Sequence, residues 1–189
     1  MSDEIYLPEF HELIASAISV SEYNNEKKPY RHLHLKEDNG TGIVSSLIIE
    51  DLPEKVFAFR IDAFPEPKLL FNDVKGARKR ADFIVIAEGF GSKNIIFIEA
   101  KKTKGLLWEI VEQLQGAISV LDYCNSVIKI RWGIDYALQH FEQRFVSCGS
   151  HAHKKPTHNA LADGDPTDIQ NPLKIKNHTV AYRQLTQKK

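Results

Sequence analysis

Two short apolar runs, Phe83-Ile84-Val85-Ile86-Ala87 and Ile95-Ile96-Phe97-Ile98, stand on either side of Gly89-Phe90-Gly91-Ser92. Runs of this kind flanked by turn residues predict two strands joined by a four-residue hairpin loop. Each run is apolar on both of its faces. That suits central strands covered on each side, and it sets the rest of the chain the task of supplying two covers.

The segments around this hairpin read in order. Residues 7–20 predict a helix, with Leu7, Phe10, Leu13, Ile14, Ala17 and Ile18 at helical spacing and Pro8 in the first turn. Residues 23–42 are polar and read as loop, with Asn24-Asn25, Pro29, Asn39-Gly40 and Gly42 as breakers. Residues 43–49 and 56–61 are β-rich runs separated by Leu52-Pro53, and residues 69–71 allow a further short strand. Residues 106–123 carry Leu107, Ile110, Val111, Leu114, Ala117, Ile118 and Leu121 on one stripe and predict a second helix. Residues 127–132 then read as a strand. The order α-β-β-β-α-β predicts an α/β domain with a central mixed sheet flanked by helices.

Beyond Gly133 the pattern weakens to a short helix over 136–141, a strand over 144–148 and a long polar loop over 149–174. The expected organisation is a core over residues 1–132 and a C-terminal extension over 133–189 of unassigned role.

Composition narrows the function classes. Lys and Arg number 25 against 25 Asp and Glu, which excludes a uniformly cationic coat but allows a local basic groove. The two cysteines, Cys124 and Cys148, cannot form a disulfide framework and fit a reduced, cytoplasmic setting. The acidic start, Met-Ser-Asp-Glu-Ile-Tyr-Leu-Pro, is not expected to be a signal peptide, and no membrane helix or membrane partner is expected.

Chemistry gathers at one end of the hairpin. Pairing Glu88 with Lys93 sets Asp82 directly opposite Glu99. Like charges at cross-strand positions about 4.5–5.5 Å apart destabilise a sheet, so a positive partner is required. A divalent cation is the economical one, since Mg²⁺ takes one or two carboxylates and completes its shell with water and phosphate. Lys101 follows Glu99 by two residues and shares its face. Two acids and an ammonium at a sheet edge suit phosphodiester hydrolysis. The bland reading is a surface ion pair, with Lys101 neutralising Glu99. The spacing Glu-x-Lys also occurs at Glu26-Lys28 and Glu66-Lys68, but only Glu99-Lys101 ends a buried strand with an acid on its neighbour.

The element order, with Ala81-Asp82 on one strand and Ile98-Glu99-Ala100-Lys101 on the next before a helix, resembles the PD-(D/E)XK nuclease superfamily over about two-thirds of the chain. The family's motif proline is Ala81 here, a departure that costs no ligand. The resemblance implies a restriction-endonuclease-like fold and Mg²⁺-dependent (or Mn²⁺-dependent) cleavage of DNA, as an endonuclease in restriction, defence or recombination. It implies metal ligation by Asp82, Glu99 and the Ala100 carbonyl, with Lys101 as the catalytic lysine. It also points to a first-helix glutamate, Glu12 with Glu9 in reserve, and to a polar residue on the following helix, Gln113 or Gln115. RNA stays open as a substrate, and cutting both strands with one site per chain favours a homodimer. The alternative is a catalytically inactive nucleic-acid-binding or assembly subunit of the same fold.

Lys75, Arg78, Lys79 and Arg80 lead into Asp82, and Lys102 and Lys104 follow Lys101. They are candidate phosphate contacts, which position a nucleic acid without reading its bases. Cys148, His151, His153 and His158 match no standard zinc spacing and read as a His-rich loop. Trp108 and Trp132 are expected in the core.

Overall fold

The computed structural model describes residues 7–14, 22–23, 31–38, 44–62, 64, 74, 76–101, 106–149 and 163–187. The central hairpin is β5 (Phe83–Gly89) with β6 (Ser92–Lys101), paired antiparallel from Gly89↔Ser92 to Phe83↔Ile98. Its loop is two residues rather than four. Phe90 and Gly91 take φ of 52° and 78°, the paired positive values that a type I′ hairpin turn demands. Glu88 still faces Lys93, so the expected register holds.

Around the hairpin, β4 (Lys55–Arg60) pairs antiparallel with β5. On the other side β7 (Glu142–Gly149) pairs parallel with β6, and β8 (Leu173–Ile175) parallel with β7. The result is a five-stranded mixed sheet in the order β4-β5-β6-β7-β8. A second sheet has the order β1-β2-β3-β9, from Glu22–Tyr23, His32–Asp38, Val44–Glu50 and Thr179–Ala181. It is antiparallel except where β9 joins β3.

Both covers of the central sheet are present, and they differ in kind. Ile84, Ile86, Ile95 and Phe97 face one buried cluster with Phe10 of α1 (Pro8–Leu13) and with Ile110, Leu114, Ala117 and Leu121 of α2 (Leu107–Trp132). Phe83, Val85, Ala87, Ile96 and Ile98 face the other, with Leu33, Leu35, Leu47, Ile49 and Val180 of the second sheet and Tyr182 and Leu185 of α3 (Tyr182–Thr186). Helices were expected on both flanks; the second flank is largely a sheet. It includes β2, whose residues were expected in a loop.

Residues 127–132, expected as a strand, are the end of α2. Ile128 continues the buried series of Leu121 and Cys124 at helical spacing. The helix stops at Gly133, which takes φ 73° and donates its N–H to the Lys129 carbonyl, the left-handed cap glycine adopts most readily. The strand that completes the α-β-β-β-α-β order is therefore β7, beyond residue 132. The 133–189 segment supplies β7 and β8 to the central sheet and β9 to the second.

A 3-10 turn at Leu138–His140 lies within the short helix expected there. The expected strand at 69–71 and the helix beyond residue 14 fall outside the described residues. No helix among the described residues is long and apolar enough to cross a membrane.

Candidate active site

Asp82 sits where β5 meets both neighbours. Its N–H donates to the Ile98 carbonyl at 3.1 Å and its carbonyl accepts from the Ile61 N–H at 2.8 Å. Its side chain reaches across to β6, where Oδ2 accepts from the Ala100 N–H at 2.5 Å. Asp82 thus grips β6 at residues 98 and 100, bracketing Glu99. Continuing the Phe83↔Ile98 register by one step sets Asp82 against Glu99. The even positions of β5 and the odd positions of β6 face α2, so both carboxylates lie on the α2 side. They are 7 % and 1 % exposed.

On the next strand Ser147 is the register partner of Glu99. It shares the face of Phe145, whose ring stacks on Phe97 at 5.7 Å, and it is 7 % exposed. A row Asp82–Glu99–Ser147 therefore crosses three adjacent strands. Ser147 was missed because a parallel register depends on the crossover through α2, which no local pattern encodes. Lys101 closes β6 opposite Gly149, two residues beyond Glu99 and hence at a position on the same side of the strand.

The two acids set the local field. The Cys148 thiol is pushed up to about 12, first by burial and then by the charges of Asp82 and Glu99. Two neighbouring carboxylates with a backbone carbonyl beside them at Ala100 are the hard oxygen donors that Mg²⁺ and Mn²⁺ accept. The donor set fits such an ion. Among the described residues no group of three or more His, Cys, Asp or Glu side chains is placed to hold a metal, so water or substrate would complete the shell.

Helix α2 presses on the segment entering the site. A Cβ at Gly116 would lie 1.7 Å from the Lys79 carbonyl oxygen, so only glycine permits this approach. Gln113, one turn earlier, has an enclosed Oε1 with no hydrogen-bond partner among the described residues, and Gln115 is exposed. No hydrogen bond joins Gln113 to Asp82 or Glu99. Glu12 lies on the exposed side of α1, and the structure does not link it to the acid pair. Glu9 accepts a hydrogen bond from the Tyr136 hydroxyl, which ties α1 to the chain beyond α2.

The basic residues divide. Lys79 forms an ion pair with Glu112 at 2.7 Å and lies over the Trp108 ring at 4.4 Å, so part of its charge is neutralised within the protein. Arg80 is lowered by burial, with Asp62 acting in the opposite sense. Arg78 is half-buried. Lys75, Lys102 and Lys104 lie outside the described residues, as do His151, His153 and His158. Both tryptophans expected in the core are at the surface, Trp108 55 % and Trp132 37 % exposed.

No family model, curated protein or solved structure matches the chain.

Proposed function

We propose that the chain is a metal-dependent deoxyribonuclease of the PD-(D/E)XK type. The observation that carries this reading is the burial of two carboxylates, Asp82 and Glu99, side by side on one face of adjacent central strands, with Lys101 two residues further along. Buried charges are retained where they are paired or coordinate metal. A like-charged pair in a sheet core is costly unless it serves a cation.

Asp82, Glu99 and the Ala100 carbonyl would hold Mg²⁺ or Mn²⁺. When bound, such an ion polarises a phosphoryl oxygen and lowers the pKa of a coordinated water. The Ala100 N–H fixes the Asp82 carboxylate in place. The Lys101 ammonium offsets negative charge as it grows on the phosphoryl group. Arg78 and Arg80, which precede Asp82, are candidates to hold the backbone phosphates. Two free cysteines among the described residues agree with a reducing, cytoplasmic site of action.

The test is incubation with supercoiled plasmid, linear duplex, single-stranded DNA and RNA across Mg²⁺ and Mn²⁺ concentrations, with Asp82→Asn and Lys101→Ala beside the wild type. Metal-dependent cutting that both substitutions remove is the expected result, and the substrate preferred separates endo- from exonuclease action. DNA retained in a gel shift but never cut would favour the inactive binding module.

A further inference from the structure

Helix α2 has a face that the fold leaves uncovered. Leu114, Ala117, Leu121, Cys124 and Ile128 take its buried side. At about 3.6 residues per turn, Ser119, Tyr123, Ser126 and Ile130 fall on the opposite side, in steps of four, three and four residues. All four are exposed. Tyr123 is 68 % and Ile130 79 % exposed, the highest values among the large apolar residues described. A helix face turned to water ordinarily carries polar or charged side chains. Steps of four and three that alternate are instead the seam of two helices packed side by side.

The stripe is complementary to itself when a second copy of α2 runs antiparallel to the first. Setting Tyr123 against the partner's Ser126 also sets Ile130 against the partner's Ser119, and the two-fold axis repeats both contacts. Each bulky side chain then enters the gap left by a serine. The same register fixes the two flanks of the seam. On one, Asp122 faces the partner's Lys129, and Lys129 faces the partner's Asp122. On the other, Val120 faces the partner's Val127, and both valines are half-buried already. Opposite charges therefore meet twice and apolar flanks meet each other. A parallel copy would set Asp122 against the partner's Val127 and leave the charges unmatched. Lys129 holds Asp135 of its own chain at 2.8 Å, and its ammonium has donors left for a second carboxylate.

We propose that α2 pairs antiparallel with α2 of a second copy of this chain, through Ser119, Tyr123, Ser126 and Ile130, to form a two-fold dimer. The seam runs along about 16 Å of helix, or three turns. A contact of that length falls below the roughly 1,200–2,000 Å² of a standard interface, so the dimer is weak and dissociates on dilution. This surface does not rest on the nuclease reading, and its test involves neither metal nor DNA.

The test is sedimentation equilibrium of the full chain. The expected result is a monomer–dimer equilibrium that shifts with protein concentration between about 1 and 500 μM. Ile130→Lys should leave only monomer. Asp122→Lys and Lys129→Glu each put like charges across the seam twice, and each should weaken self-association at least about tenfold. Mixing those two variants should restore the dimer, because each then meets its opposite charge on the other chain. All three positions are exposed, and far-UV circular dichroism should show the wild-type helix content in every variant. A wild type that stays monomeric at every concentration would overturn the proposal. So would a dimer that Ile130→Lys leaves unchanged, or a mixture that associates no better than its separate components.

Discussion

Gly116→Ala isolates the contact between α2 and the strand entrance at Asp82. The substitution lies mid-helix, where alanine is favoured over glycine by about 1 kcal/mol, so helix propensity alone predicts stabilisation. The structure predicts the reverse. The new Cβ would stand 1.7 Å from the Lys79 carbonyl oxygen and 2.8 Å from its carbon, both backbone atoms that no rotamer change can move. Ordinary contact needs roughly twice the first distance, so α2 and residues 79–82 must separate by more than an ångström. Overpacking of this kind costs about 1–3 kcal/mol, and here it acts on backbone, at the upper end. After the propensity gain, the net loss is about 1–2 kcal/mol. In a chain of this size that lowers the melting temperature by roughly 2–8 °C. Urea denaturation followed by far-UV circular dichroism measures it. A Gly116→Ala protein as stable as the wild type, or more stable, would refute the close approach of α2 to the site.

Three further outcomes follow from named contacts. Asp82→Asn should be more stable than Asp82→Ala by about 1.5 kcal/mol in chemical denaturation. Both remove the repulsion with Glu99, and only the amide keeps an acceptor for the Ala100 N–H. Stability should fall as pH drops below about 6.5, because burial lowers His11 and His34 in the folded state. The unfolded chain then binds protons the native state excludes, so His34→Gln should make the acid-side decline shallower, leaving the part due to His11, and an unchanged profile would contradict this. Cys124 and Cys148 are pushed up to about 11 and about 12, so native protein should resist a thiol reagent at pH 8 and react in urea. The native thiols keep protons that unfolded thiols release, so stability should also decline above pH 9, by about 1.4 kcal/mol per pH unit for each thiol.

Much of the site was legible because it rests on a period-two pattern. The two continuous apolar runs bounded by turn residues, with Glu88 set against Lys93, fix the hairpin register, and that register alone brings Asp82 to Glu99. Other features depended on longer-range partners. Residues 127–132 look β-rich through Val127, Ile128 and Ile130, yet Ile128 packs into the core one turn beyond Cys124, and burial overrides local propensity. Residues 32–36 alternate His-Leu-His-Leu-Lys, a strand signal masked by the polar breakers on either side. Ser147 and the second sheet were hidden for one reason: parallel pairing and sheet-on-sheet packing join segments far apart in sequence. Trp108 falls off the buried stripe of Ile110, Val111 and Leu114 in α2, and Trp132 lies on the part of that helix beyond residue 123, which was expected to be a strand.

Whether Asp82 and Glu99 together hold a divalent cation is tested most directly by Mn²⁺ binding. Free Mn²⁺ is followed by electron paramagnetic resonance during titration of the full chain, its Asp82→Asn variant and its Glu99→Gln variant. The wild type should deplete the free-ion signal with saturable stoichiometry, Mg²⁺ should compete, and either substitution should weaken binding at least about tenfold. Saturable Mn²⁺ binding unaffected by both substitutions, or none in the wild type, would contradict the metal site and the nuclease function built on it.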